Sequence, residues 1–568
     1  MMEVVTEQTP PVLQGPSEKE KKYDRQLRLW AASGQSALEN ANLLLLNSGS
    51  GTVGVETLKN LVLPGIGKFT IADEAIVDEA DLGVNFFLDE ESLGQSRAER
   101  CVKLLQELNP DVKGDWYPKL KDDKLHQLFE VEKEEKYTLI IHSFPIEPKI
   151  LALAEKYSSA HKVPLISIHS AGFYSYFKTD LPGNFPIVET HPDSTATTDL
   201  RLLKPWPELS SFAADLTKNI DTLSDHEHGH IPYLILLLNF LRKWKEEHGS
   251  YPGTYKEKTE FRTTVSNGTR RNNAEGGEEN FDEAVAAVLK NISVRDLASS
   301  VKEVFDYKPT KAESESEFWI IADAVKKFYE KHNELPLPGS VPDMKAQSSI
   351  YVQLQNIYKE KARQDIQEVL QTIRAQPRDI KVEKVEEFCK NAAFIKLIRG
   401  SDPSTDLQKI AKSEFENDEN APLTMMPLSN LPIYLALRAT SHVPSATSPE
   451  ILAQIDKEIP NASSNPRVAQ VAEELARAKG GELHNISSLT GGMVAQEIIK
   501  IITKQYVPID NTCIFDGITS RTQGCLAKGL GGHMIRKHLG NVMHVRCGEQ
   551  MKINEDLRLS SGHDSGLQ

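Results

Sequence analysis

The run Leu43-Leu44-Leu45-Leu46 is apolar at every position and leads straight into Asn47-Ser48-Gly49-Ser50-Gly51-Thr52-Val53-Gly54. Four consecutive leucines that end in turn residues read as a strand buried on both faces. Residues 55–63 then carry helical spacing, and residues 68–72 return to a short apolar strand. Strand, G-x-G-x-x-G loop, helix and strand together make the βαβ context of a nucleotide fold, with Gly49, Gly51 and Gly54 as its three glycines. The acid expected about 20 residues later, where a ribose would be held, is Asp73 or Glu74. The loop alone is weak grounds for binding, because the turn and the helix–strand contact need glycine in any unit of this kind.

Alternation of strands and amphipathic helices continues to about residue 188, with strands at 43–47, 69–72, 137–141 and 165–167. A helix over 96–109 places Ala98, Cys101, Val102, Leu105 and Leu108 on one face. From about 205 to 440 the period becomes helical, with amphipathic stretches at 231–244, 281–289, 294–304, 318–332, 351–372 and 385–399. Polar breaks at 267–280, 310–317 and 414–422 read as loops. The segment Thr490-Gly491-Gly492-Met493-Val494-Ala495 opens a further helix with small residues, which let a helix sit close against a sheet, and 513–515 reads as a strand beyond it. The pattern predicts one doubly wound α/β domain split by a large all-helical insertion. Its parts are a disordered arm at 1–19, α/β at 20–204, the insertion at 205–440, a return to α/β at 441–517 that includes the helix 491–503, and an atypical, disordered tail at 518–568.

The 568 residues allow three or four domains at roughly 150 residues each, fewer where insertions are long. The 39% hydrophobic and 26% charged residues fit a globular chain with a large core. A net charge of −15 argues against a nucleic-acid or anionic-membrane surface, because phosphate recognition draws on clustered Lys and Arg. Residues 1–15 lack the basic start and apolar core of a signal peptide, and the apolar run 233–241 is too short to cross a bilayer, which needs about 20 residues. The five cysteines, Cys101, Cys389, Cys513, Cys525 and Cys547, are scattered and suggest neither a disulfide framework nor a zinc site. A soluble protein of a reducing compartment is expected.

Two local features invite chemistry and have plainer readings. His226, His228 and His230 form an H-x-H-x-H run, but the flanking Asp225 and Pro232 mark the approach to a helix, and no metal is expected. Cys389 lies in a helical run among apolar residues, where a buried inert thiol is the expectation.

Tyr23-Asp24-Arg25-Gln26-Leu27-Arg28-Leu29-Trp30, the glycine loop with residues 59–67, and residues 491–503 resemble the adenylation domains of the enzymes that activate ubiquitin-like proteins. His191-Pro192-Asp193, Asp199-Leu200-Arg201-Leu202, Thr254-Tyr255-Lys256-Glu257-Lys258, residues 354–362 and residues 501–505 resemble more narrowly the regulatory subunits of heterodimeric neddylation-activating enzymes. The resemblance runs from about 18 to 517. It implies a Rossmann-like pseudo-adenylation domain whose helical insertion is the counterpart of a catalytic-cysteine domain without the cysteine.

The resemblance also implies what is missing. Aligned through Phe86-Phe87 and Leu93-Gly94, the second carboxylate of the active relatives' D-x-D falls on Ala75, their arginine on Val84, their lysine on Arg97, and their magnesium-binding aspartate near Pro145. Adenylation needs cations on the phosphates and a carboxylate for the metal, so no nucleotide or metal is expected in this chain's own site. ATP, Mg, a zinc site and the nucleophilic cysteine belong, on this resemblance, to a catalytic partner subunit. The other partners implied are the ubiquitin-like modifier and, transiently, a conjugating enzyme, in cytoplasm and nucleus. Arg25 is implied to reach in trans into the partner's ATP site, a role Arg28 could share, while Glu56, Lys59 and Asn60 read as helix-surface or interface groups. The alternatives are a subunit of the sumoylation-activating enzyme, which lacks so long an insertion, and an NAD-dependent oxidoreductase using the glycine loop.

Overall fold

In the computed structural model the described residues are 17–524, except 121–122, 130–135, 193–198, 272–276, 294–295, 376–379, 401–406 and 425–426. The arm expected at 1–19 lies outside them up to residue 16, and Glu18–Lys22 is a short helix opened by a Ser17–Glu20 capping box. Of the tail expected at 518–568, residues 525–568, with Cys525 and Cys547, lie outside as well. The chain forms two compact units, Met1–Phe185 with Ile398–Gln568, and Pro186–Leu397.

The first unit is built on an eight-stranded sheet. Its strands are β1 (Asn42–Leu46), β2 (Lys68–Ala72), β3 (Lys113–Tyr117), β4 (Leu139–Ser143), β5 (Leu165–Ala171), β6 (Tyr174–Asp180), β9 (Thr512–Asp516) and β10 (Arg521–Gly524). Their order is β10-β9-β6-β5-β4-β1-β2-β3. Strands β5, β4, β1, β2 and β3 are parallel, and β6, β9 and β10 extend the sheet with antiparallel pairings. The leucine run is central because Leu43, Leu44 and Leu45 are wholly buried, flanked by Ile71 and Ile141 in register with Leu45. This is the Rossmann-like α/β class that the sequence predicts, with the loop at the carboxyl end of β1.

Two expectations for this unit change. The small residues that open the segment from Thr490 meet a sheet only in part: Gly491 meets another helix, since a Cβ there would lie 2.8 Å from the Glu56 carbonyl carbon in the Thr52–Val62 helix. The sheet is met by hydroxyls on the adjoining face: Thr490 pairs with Ser175 of β6 at 2.6 Å. The tail is not featureless from 518, because Arg521–Gly524 forms β10 on the edge of β9. Gln523 accepts from the buried Asn430 N–H at 2.5 Å, and Arg521 donates to Leu428 O at 2.7 Å.

The second unit is helical and opens and closes on β7 (Asn184–Val188) and β8 (Ile395–Arg399), which pair with each other. One core gathers Leu234, Leu237, Phe261, Phe281 and Tyr358, whose hydroxyl donates to Leu200 O at 2.7 Å. A second gathers Val325, Val369, Phe388 and Cys389. The unit spans 186–397 where the pattern suggested 205–440, and the helix Leu431–Thr440 packs in a core of the first unit beside Tyr174 and Ile514. Periodicity cannot see this, since a helix covering a sheet and a helix in a bundle have the same apolar stripe. The helix expected at 385–399 ends at Lys390, and Ile-Lys-Leu-Ile-Arg continues as β8 with alternating burial, a period of two hidden inside a short apolar run.

A chain ending at Gly524 keeps β10. Ending it at Ser520 removes β10 and leaves the Asn430 N–H unpaired, a loss of ~1–3 kcal/mol, or a few °C for a unit of this size. Equal melting temperatures for the two truncations would show that β10 carries no stability.

Candidate functional site

Beyond β1 the backbone turns through Gly49 and Gly51, both at left-handed φ (+62° and +66°), and Gly51 caps the Thr52–Val62 helix. What crowds these glycines is the chain itself. A Cβ at Gly51 would lie 2.3 Å from Asn47 Nδ2, and one at Gly49 2.8 Å from Pro145 Cδ. Gly54, one turn into the helix, faces Asn47 Oδ1 in the same way. The Ser48 N–H donates to Ser143 Oγ at 2.9 Å, and the Ser48 hydroxyl donates to Ser143 O and Pro145 O, which closes the loop against the end of β4.

Asp73, at the end of β2, stands where a ribose acid would stand, and its carboxylate is saturated. Arg97 donates to it twice, Nε to Oδ2 at 2.7 Å and Nη2 to Oδ1 at 3.1 Å; Asn47 Nδ2 and the Ala75 N–H add bonds of 2.9 and 3.0 Å. Arg97 Nη1 reaches Asp81 at 2.9 Å and Ser50 O at 3.4 Å. All three ionic groups are buried: Arg97 is 3% exposed, Asp73 2% and Asp81 7%. Burial pushes the guanidinium's pKa down, and the Asp73 and Asp81 carboxylates reverse that and leave it raised, so the charge is permanent. Arg97, aligned with a catalytic lysine, is thus committed to an internal bidentate pair.

A second acid reaches the loop from the far end of the sequence. Glu482 is 5% exposed and accepts from the Val53 N–H at 2.8 Å and from the Ser487 hydroxyl. Burial pushes its carboxyl up to about 7, against those hydrogen bonds and the charge of Arg97, which pull it down. Nothing in the local sequence marks Glu482. Nor does the spacing mark Asp81, which completes the Arg97 pair.

Around this core remains a cavity of about 390 Å³. Asn47, Ser48, Gly49, Asp73, Glu74, Ala75, Arg97 and Pro145 line it, with Lys124 and His126 toward its rim. The structure therefore brings together the glycine loop, Ala75, Pro145 and Arg97. Val84 stays apart, in the turn after the Glu79–Leu82 helix, with its N–H on Asp81 O at 3.2 Å. Arg25 is elsewhere, exposed in the Asp24–Glu39 helix and without an ion pair or hydrogen bond among the described residues, whereas Arg28 pairs with Asp24 at 2.8 Å. Glu56, expected at a helix surface or interface, is 1% exposed inside the unit and binds Lys59 and His484. Helix packing at Gly491 buries it. In the second unit the His226 and His230 rings lie 4.2 Å apart between centroids, while His228 is turned away and buried on Glu278 at 2.7 Å, so two of the three imidazoles meet and the third does not join them. Cys389 is buried, its thiol pushed up to about 12 by desolvation.

Residues 23–528 match the ThiF family. The NEDD8-activating enzyme E1 regulatory subunit of Xenopus laevis is 36% identical over 533 residues, which cover 88% of this chain and 97% of that protein. This chain belongs to the NEDD8-activating enzyme E1 regulatory subunit family. The Drosophila melanogaster and Gallus gallus regulatory subunits are 35% and 34% identical over 89% and 88% of this chain, each along 97% of its own length. As a regulatory subunit of this family, the chain carries the ThiF fold with a site whose polar groups are turned on one another. Neither the sumoylation subunit nor an oxidoreductase is favoured.

Arg97→Ala leaves two buried carboxylates without their cation and should destabilise the first unit by ~3–5 kcal/mol; Arg97→Lys should restore only part, having no fork for Asp73. Urea unfolding decides, and a loss under 1 kcal/mol for Arg97→Ala would contradict the ion-pair reading. For Glu482 the folded value of about 7 exceeds the ordinary 4.5. Its contribution is therefore fully present below about 4.5 and is lost as pH rises through about 7. Glu482→Gln should remove this slope, worth up to ~3 kcal/mol, and a wild-type/variant stability difference that is flat from pH 4.5 to 8 would refute it.

Proposed function

We propose that this chain is the non-catalytic half of a heterodimeric activating enzyme and that ATP-dependent chemistry on a ubiquitin-like modifier occurs on its partner. The observation that carries this is the saturation of Asp73 and Arg97 by one another and by Asp81, Asn47 and the Ala75 N–H. A triphosphate needs cations free to follow its developing charge and a carboxylate free to hold the metal. Here the cation is neutralised by two acids, and Ala75 and Pro145 supply no ligand. The three cysteines among the described residues are buried and unlike an attacking thiolate, which needs an electropositive, accessible setting.

On this reading the partner adenylates the modifier's C-terminal glycine, forms the thioester on its own cysteine and passes the modifier to a conjugating enzyme, in cytoplasm and nucleus. This chain supports the partner through the α/β unit. Exposed apolar side chains near the start of the His484–Thr503 helix suit that role. Phe86 is 70% exposed and stacks on His484 at 3.7 Å between ring centroids, and Ile518 is 59% exposed next to Gly517, which contacts Ile486 and Phe173. Exposed apolar side chains of this size suit association surfaces. Arg25 is the group offered to the partner's site: it is exposed, and a guanidinium can bridge two phosphate oxygens.

The isolated chain should support no ATP–pyrophosphate exchange above a mock preparation. In the reconstituted heterodimer, Arg25→Ala should lower the adenylation rate roughly 10–100-fold, less than the 10³ or more of arginine fingers that act alone. Assembly should be intact and Arg25→Lys should recover part of the rate. An unchanged rate at limiting ATP would return Arg25 to a structural role, while exchange by the isolated chain would overturn the reading as a whole.

A further inference from the structure

The Thr52–Val62 helix begins at the glycine loop, where a nucleotide fold directs its N–H groups and positive dipole end at a phosphate. In this chain that end has an occupant from within. The Val53 N–H donates at 2.8 Å to Glu482 Oε2, the same oxygen that accepts from Ser487, and the Glu482 N–H reaches the Ser50 hydroxyl at 3.4 Å. The fold goes to some length to deliver this side chain. Gly480 (φ +76°) turns the backbone out of the Pro466–Ala478 helix, the Gly172 N–H donates to Gly481 O at 2.8 Å, and Gly172 bridges to Glu482.

A second observation lies at the same helix end. The Thr52 hydroxyl, at the first position of the same helix and 1% exposed, has no hydrogen-bond partner. A buried hydroxyl without a partner is costly and uncommon in native proteins. A carboxylate offers two oxygens in one plane. A tetrahedral phosphate offers more acceptors in more directions and can engage a hydroxyl as well as adjacent N–H groups.

We propose that Glu482 is an internal stand-in for a phosphate group, and that it is the residue which determines that this half of the enzyme holds no nucleotide. The helix end that such a fold turns toward a phosphate persists and is filled by the chain's own side chain. The lost ligands at Ala75 and Pro145 remove the chemistry; Glu482 removes the binding.

The test is chemical rescue in the full chain co-expressed with its catalytic partner, with the wild-type complex as control for anion binding on the partner. Glu482→Ala should melt about 5 °C or more below wild type, as expected when a buried donor loses its acceptor. Inorganic phosphate at 10 mM should restore at least half of that shift while moving the wild-type complex by no more than 1 °C, each measured against chloride of equal ionic strength. Glu482→Gln, which still fills the space, should gain nothing from phosphate beyond wild type. Rescue by formate but not by phosphate would show that only a carboxylate fits and would overturn the proposal, as would a phosphate response equal in Ala, Gln and wild-type proteins. If Glu482→Ala gives no soluble complex, Glu482→Ser replaces it, and the recovery of folded complex in phosphate against chloride is the readout, equal recovery again overturning the proposal.

Discussion

The first unit depends on a contact between residues 429 positions apart: the Val53 N–H at the start of one helix and Glu482 just before another. The His484–Thr503 helix lies on the Thr52–Val62 helix so closely that Gly491 has no room for a side chain. Several contacts at the site follow from that approach. It buries Glu56, places Glu482 on the glycine loop, and sets Ser487 and Thr490 against the hydroxyls of β5 and β6. The sheet cannot be completed without it, because β9 extends β6 only after the chain has returned from the helical unit.

The site is best understood as a nucleotide fold whose polar groups satisfy one another. An active site of this class keeps its cations underpaired until the substrate arrives, at a cost in stability. Here the charged groups are paired in the folded chain: Arg97 is forked onto Asp73 and held by Asp81, and Asn47 lies under the glycines. Such burial of charge is tolerated only because each lone pair and N–H finds a partner, so removing one member is worse than never having had the set. A chain freed from catalysis can convert preorganised, high-energy polarity into structural polarity, and the geometry around Arg97 has that character.

Much of this was legible in the sequence because the signals are local. Four leucines before G-S-G-T-V-G give β1 and its loop, and a strictly apolar run has little choice but the middle of a sheet. Ala75, Pro145 and Arg97 could be marked from a family resemblance because each lies a short way in sequence from a strand or motif that anchors the alignment. Asp81 and Glu482 could not, since their meaning lies in partners 16 and 429 residues away. The end of the helical unit was misplaced for a similar reason: the apolar stripe of Leu431–Thr440 shows that a face is buried, not what buries it. β8 was missed because its alternation follows directly on a helix and reads as a continuation of the helical apolar run, and β10 because Arg-Thr-Gln-Gly carries no apolar residue at all.

The order of elements along the chain also sets a timetable for synthesis. Ser175 of β6 and Thr490 of the helix that covers it are 315 residues apart. At the ribosome's pace of about 5–20 residues per second, roughly 15–60 s pass between the emergence of the first and the second. Over that interval the helical unit is made in one continuous piece and can fold, while β6 waits with one edge unpaired. An open strand edge is a template for pairing with other chains. The nascent polypeptide therefore passes through a long window in which its sheet needs shielding, and whatever slows translation of the helical unit lengthens that window.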